Sequence, residues 1–203
     1  MTKRRVAIFG GTFNPPHVGH VAAAESFFSA IEPDELIIIP DFLPPHKEYQ
    51  GEVSAEDRLE MCKLAFGHIE RVSVSDLEIK RGGRSYTAVT LEELSSPDKE
   101  LYFLCGTDMF LTLDSWYCPE KIFAHAVICY IRRENDSFNN TELIRKSEEY
   151  KAKYGAKIIP ISAPVVEVSS SKLREALLSD ISKASRLLPD SIFAYIVEKR
   201  LYR

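Results

Sequence analysis

Four consecutive apolar residues, Val6-Ala7-Ile8-Phe9, run directly into GGTFNPPHVGH (Gly10 to His20), and from Val21 onward the chain reads as a helix. This junction restricts the fold more than any other stretch. An apolar run of that length, closed by glycines, is the signature of a strand buried on both faces. Strands are expected at Arg5 to Phe9, which contains this run, and at Glu35 to Ile39, Val72 to Ser75, Leu101 to Leu104, Ala126 to Tyr130 and Lys157 to Ile161. Helical stretches separate them. One begins at Ser54-Ala55-Glu56-Asp57, with a capping hydroxyl and early acids, and shows an apolar face of Leu59, Cys62, Leu64, Ala65 and Phe66. Such alternation predicts an α/β chain: a Rossmann-like doubly wound parallel sheet with helices on both faces and C-terminal helices. Residues 1–203 are expected to form one domain, with 162–203 a mostly helical C-terminal part. Residues 182–203 should supply terminal helices that bury Ile192, Phe193, Ile196 and Val197, and Arg132 to Tyr154 should be a loop plus an amphipathic helix.

In a sheet of this type ligands gather beyond the carboxyl ends of the strands. The polar motifs fall there: GGTF after the first strand, DFLPPHK after the second, GTD after Leu104 and SSSKLR after the Lys157 strand. Two glycines let a backbone approach a ligand closely, and a helix start attracts anions. Neither GxxxxGK[ST] nor GxGxxG is present, so the histidines carry the argument. His17 and His20, three apart, share one helix face in the first turn, with Gly19 keeping that face low. A zinc pair is one alternative, but no HExxH or CxxC supplies further ligands, and no protein-held metal is expected. Ordinary polar residues at a helix start are another.

Composition narrows the partners. With 26 Lys and Arg against 30 Asp and Glu, the net charge of −4 argues against a nucleic-acid binder relying on bulk positive charge. Cys62, Cys105, Cys118 and Cys129 lack paired spacing and read as reduced residues of a cytoplasmic protein. The basic N-terminus precedes too short an apolar run for a signal peptide, and nothing is long enough to span a membrane.

The chain resembles the nucleotidyltransferases with an HxGH signature, here His17-Val18-Gly19-His20, and among them the bacterial nicotinate-nucleotide adenylyltransferases. GGTFNPPHVGH is similar to the family's first motif and PDFLPPHK (Pro40 to Lys47) to its proline-bracketed basic loop. RLEMCKLA from Arg58, DLEIKRGGRSYTAVTLEEL from Asp76 and FLCGTDMFLTLDSWY from Phe103 resemble its middle blocks, and VSSSKLREAL from Val168 its closing phosphate motif. HxGH alone is shared by several enzyme groups. The ordered set, from about Val6 to the closing LYR, is highly specific. Ser171 stands where the family usually has Thr, Leu173 where it has Ile, and Asn14 where Asp is also common; an asparagine cannot act as an acid.

The resemblance implies adenylyl transfer from ATP to nicotinate mononucleotide, yielding nicotinate adenine dinucleotide and pyrophosphate, a step in making NAD, with Mg2+ accompanying ATP as cofactor. His17, His20, Lys47 and Arg174 are then the expected catalytic residues. Gly10, Gly11, Thr12, Phe13, Gly106, Asp108, Ser169 and Ser170 join His17, His20 and Arg174 around ATP. Thr12, Asn14, Lys47, Tyr86, Thr87, Trp116 and Tyr117 are expected at the mononucleotide, Trp116 and Tyr117 flanking the pyridine ring. Simpler roles stay open: Ser169 to Ser171 as a helix cap, Lys47 as a solvated loop lysine, Asp108 as an N-cap and Trp116 as core. Pantetheine-phosphate adenylyl transfer and a nucleotide-binding module without turnover are the competing readings. Both substrates are small molecules; a homo-oligomer is compatible with the sequence.

Overall fold

The expected strands all form. A computed structural model describes residues 2–45, 53–133, 140–164, 166 and 168–203. Its strands are β1 (Arg4–Gly11), β2 (Glu35–Pro40), β3 (Val72–Val74), β4 (Lys99–Cys105), β5 (Ala126–Arg133) and β6 (Ile158–Ala163). They make a single sheet in the order β3-β2-β1-β4-β5-β6, every pair parallel. The helices are α1 (Val18–Ile31), α2 (Ala55–Phe66), α3 (Leu77–Arg81), α4 (Thr87–Leu94), α5 (Thr107–Phe110), α6 (Pro119–His125), α7 (Asn140–Tyr154), α8 (Ser170–Ser179), α9 (Ile181–Ser185) and α10 (Asp190–Lys199).

Strand alternation sorts the side chains into two cores. Ala7 and Phe9 of β1, Tyr102 and Leu104 of β4, and Val127 and Cys129 of β5 face one way, under α1, α2 and the α8–α10 group. Val6 and Ile8, Leu101 and Phe103, and Ala126 and Ile128 face the other, under α4, α6 and α7. A sheet covered on both sides leaves its inner strands β1, β4 and β5 no solvated face, which is why they read as unbroken apolar runs, whereas Ser73 of β3 and Pro160 and Ser162 of β6, at the edges, are exposed. The doubly wound, Rossmann-like expectation therefore holds. The chain winds outward from β1 through β2 to β3, then returns to β4 on the far side of β1. The loops after β1 and β4 thus diverge and leave a crevice between them.

Some details differ from expectation. His17 is the N-cap of α1 rather than part of its first turn, with an extended backbone (φ −144, ψ 171). On α2 the inner face holds Arg58 and Met61 beside Cys62, Ala65 and Phe66, while Leu59 and Leu64 are half-buried. The stripe is rotated because Arg58, not Leu59, finds partners beneath the helix. On α10 only Ile192 and Ile196 are buried; Phe193 is half-buried and Val197 is 41% exposed, one residue past the i, i+4 stripe that meets the core. The four cysteines are free thiols, three of them buried. Among the described residues no helix is long and apolar enough to cross a membrane.

Candidate active site

Above the β1/β4 crevice lies a cleft of about 690 Å3. Gly10 and Gly11 bring the backbone of β1 to its floor, and at Gly11 an added Cβ would lie 3.2 Å from the Phe13 ring, so the glycine lets the loop fold back on itself. Phe13 (φ 46) turns the chain, with its own ring in the core against Phe9 and Phe66. After the cis Asn14–Pro15 bond the chain reaches His17.

The two histidines cap each other. Nδ1 of His17 accepts from the backbone N–H of His20 at 3.3 Å, and Nδ1 of His20 accepts from the backbone N–H of His17 at 3.2 Å. This is a capping box built from imidazoles instead of Ser and Glu. The rings stack with centroids 3.7 Å apart. Because each Nδ1 is an acceptor, each neutral ring carries its proton on Nε2 and offers it as a donor. Burial holds His17 at a pKa of about 4 despite its backbone hydrogen bond. His20 lies well below the ordinary imidazole range, first through burial among the Phe9, Phe13 and His17 rings and then through repulsion from His17. Both are therefore neutral donors near pH 7. Gly19 makes the stack possible: a Cβ there would sit 3.1 Å from His17 Nδ1 and 2.9 Å from Val168 Cγ1. The α1 start is less open to anions than the sequence suggests, since Val18 N–H donates to Leu187 O and His20 N–H is taken by His17.

A second helix start clamps this loop. Ser169 caps α8 by accepting from Lys172 N–H, so its capping role is real, and its residue also lines the cleft. Ser170 Oγ donates to Pro15 O at 3.0 Å and Arg174 donates to Asn14 O at 2.7 Å. Thus the serine motif after β6 and the motif after β1, about 155 residues apart, are one unit. Asn14 is buried, and its Oδ1 accepts from the Tyr202 hydroxyl at 2.6 Å.

Sequence reasoning missed the support beneath Thr12. Arg58, fully buried, donates to Thr12 O (2.7 Å), Asp41 Oδ1 (3.0 Å) and Phe42 O (3.0 Å), and Thr12 Oγ1 donates to Asp41 Oδ2 (2.7 Å). One guanidinium so ties the loops after β1 and β2 to α2. Glu78 was also missed. It is buried at the cleft wall, accepts from Thr90, and has its carboxyl pKa raised by burial against the opposing hydrogen bonds of Thr90 and Ser85.

At the β4 end, Gly106 is the N-cap of α5 and Asp108 is exposed within its first turn, so Asp108 is not the cap; both line the cleft. Thr87 and half-buried Trp116 line it as well. Tyr86 and Tyr117 do not. Cys118 adopts a left-handed conformation (φ 47) before α6, and the Tyr117 ring lies on Tyr86 (centroids 4.5 Å), 53% exposed. Tyr86 itself is the N-cap of α4. Of the two residues expected to flank one ring, Trp116 lines the cleft and Tyr117 does not. Lys47 lies outside the described residues. Among those described, no group of three or more His, Cys, Asp or Glu is placed to hold a metal ion.

A family model of cytidylyltransferase-like proteins matches residues 8–176. The chain is 35% identical to a Carboxydothermus hydrogenoformans protein named "probable nicotinate-nucleotide adenylyltransferase", over the full length of both. It is 36% identical to a protein of the same name from Lachnoclostridium phytofermentans, over 98% of this chain and 99% of that one. Among solved structures, the Plasmodium falciparum nicotinic acid mononucleotide adenylyltransferase complexed with NaAD has a TM-score of 0.77 at 20% identity, covering 98% of this chain and 97% of its own, which bears on the fold. On these full-length matches, the chain belongs to the cytidylyltransferase-like family and, within it, to the nicotinate-nucleotide adenylyltransferases.

Proposed function

We infer that this enzyme transfers the adenylyl group of ATP to nicotinate mononucleotide, releasing pyrophosphate and forming nicotinate adenine dinucleotide for NAD synthesis. The observation that carries the reading is the pair of reciprocally capped, neutral histidines, with their Nε2–H donors at the cleft between β1 and β4.

The chemistry asks little of a general base. A phosphate monoester, with a second pKa of ~6, is already largely dianionic at neutral pH. Its oxygen bonds to the α-phosphorus of ATP as the bond from that phosphorus to the bridging oxygen breaks, and the electron pair leaves on pyrophosphate. Catalysis is then alignment and stabilisation of charge on the phosphoryl oxygens. His17 and His20 donate to ATP phosphates. Arg174, anchored on Asn14 O, presents its remaining N–H groups to them beside Ser169 and Ser170. The floor at Gly10, Gly11, Thr12 and Phe13 admits the nucleotide closely, and Gly106 with Asp108 receives its adenosine end, Asp108 accepting from ribose hydroxyls. Lys47 of the PDFLPPHK motif adds a cation.

Trp116 stacks on the pyridine ring, and Thr12 and Asn14 face the acceptor phosphate. N–H groups at the start of α4, around Tyr86 and Thr87, donate to the nicotinate carboxylate, and Tyr117 backs them through Tyr86. A carboxamide would set its own N–H group against those donors, so the acid is preferred. Asp41 and Glu78, the two buried carboxylates lining the cleft, are engaged within the protein. Mg2+ accompanying ATP would enter with the triphosphate and would supply charge neutralisation for the departing pyrophosphate. Residues 162–203 work within the same domain, since α8 completes the phosphate site. The free thiols suit a reducing, cytoplasmic compartment.

Pyrophosphate release from Mg-ATP is the test, with nicotinate mononucleotide, nicotinamide mononucleotide and pantetheine phosphate as parallel acceptors. Release is expected with the nicotinate form, and kcat/KM for the nicotinamide form should be lower by at least tenfold. Release with pantetheine phosphate alone would overturn the acceptor assignment, and silence with all three would favour a binding module.

Gly19→Ala probes the histidine stack. Alanine is the better helix former by about 1 kcal/mol, so α1 itself should not suffer. The new methyl group nonetheless pushes His17 out of register, and small misplacements of positioning groups cost up to about a hundredfold. A fall in kcat/KM of roughly ten- to hundredfold with unchanged Tm is expected. Unchanged kcat/KM would mean the ring accommodates the methyl without losing its alignment.

A further inference from the structure

The loop after β1 is held at three points from the far end of the chain, and two of them are spent on backbone carbonyls. Ser170 takes Pro15 O and Arg174 takes Asn14 O. The third, Tyr202, takes a side chain: its hydroxyl donates to Oδ1 of Asn14 at 2.6 Å. Asn14 lines the cleft, yet is only 5% exposed. Among the described residues its Nδ2 group has no hydrogen-bond partner in the protein. An asparagine amide whose oxygen is fixed has one thing left to offer, a pair of N–H donors.

The chain takes an unusual path to reach that oxygen. α10 ends in a Schellman turn: Arg200 is left-handed (φ 56) with its N–H on Val197 O, and Leu201 N–H donates to Ile196 O. Leu201 then packs on the core, and Tyr202 is itself left-handed (φ 60). Two bulky residues with positive φ within three positions are uncommon. Such backbone persists where the surrounding structure holds it in place. Here the Leu201 packing and the Asn14 hydrogen bond hold it.

We propose that Tyr202 is a positioning residue for phosphate binding: by donating to Asn14 Oδ1 it keeps the amide turned so that Nδ2 faces the cleft as a donor to a nucleotide phosphate. The proposal rests on the reading that this cleft binds nucleotide phosphates. Without the hydroxyl the amide can flip, and a flipped amide presents an oxygen to an anion. A preorganised donor costs no reorganisation during reaction, which is where fixed groups contribute most.

Tyr202→Phe keeps the ring and removes only the hydroxyl. Loss of one neutral hydrogen bond predicts a fall in kcat/KM of about fivefold. Asn14→Ala should cost at least as much, and adding Tyr202→Phe to it should cost nothing further, since the tyrosine acts through the asparagine. A readout independent of turnover follows the Asn14 side-chain NH2 resonances by 15N NMR as inorganic tripolyphosphate is added. In the native chain these should shift on binding. In Tyr202→Phe the shift should shrink and the apparent tripolyphosphate affinity fall about fivefold. Additive losses in the double variant, or unchanged affinity and an unchanged Asn14 shift in Tyr202→Phe, would overturn the proposal. If the native chain releases no pyrophosphate with any acceptor while its Asn14 resonances still respond through Tyr202, the assigned reaction fails and the positioning role stands.

Discussion

Replacing His20 with alanine is expected to lower kcat for pyrophosphate release by two to three orders of magnitude, the roughly 3–4 kcal/mol that one preorganised donor at a developing anion supplies. Two effects are superimposed, because His20 is also the N3 half of the α1 capping box. Losing the cap should cost about 1 kcal/mol of stability, enough to lower Tm by a few degrees and not enough to unfold the chain. His20→Gln separates them. Glutamine at N3 can still accept from the His17 backbone N–H, so Tm should return toward the native value while the rate stays low. Near-normal turnover in His20→Ala would remove the ring from the mechanism. Rate and stability recovering together in the glutamine variant would assign its role to the helix.

The largest loss of stability should follow Arg58→Met. The substitution fills much of the same space but leaves the Asp41 carboxylate without its buried cation, and it deprives Thr12 O and Phe42 O of a donor. Removing one partner of a buried ion pair costs about 3–5 kcal/mol, which for a chain of this size lowers Tm by roughly 10 °C or more. Adding Asp41→Asn removes the stranded charge and should recover part of that loss. Urea unfolding of the native chain and the two variants measures it. A loss below about 1 kcal/mol in Arg58→Met would mean that water replaces the guanidinium beneath Thr12.

The strands were legible because a sheet covered on both faces demands unbroken apolar runs, and Val6 to Phe9 and Leu101 to Cys105 supply them. The histidine pair was legible from its spacing and its glycine, although only the structure shows that the two rings cap each other. Arg58 was not. An arginine inside RLEMCKLA looks like any solvated helix residue, and its burial depends on Asp41 and Thr12, which are brought beneath α2 by other elements. The Asn14–Tyr202 contact spans 188 positions and has no local signal at either end. That Tyr117 stands outside the cleft lining was not legible for a different reason: its neighbour Cys118 reverses the backbone through a left-handed residue, and neither composition nor period announces that turn.

The reciprocal cap of His17 and His20 also means that the reactive geometry is not added to a finished scaffold. The hydrogen bonds that close the first turn of α1 are the same ones that fix which nitrogen of each ring carries its proton. Winding that turn during folding therefore arms the site, and fraying it by a single turn disarms both donors at once while the sheet beneath remains intact.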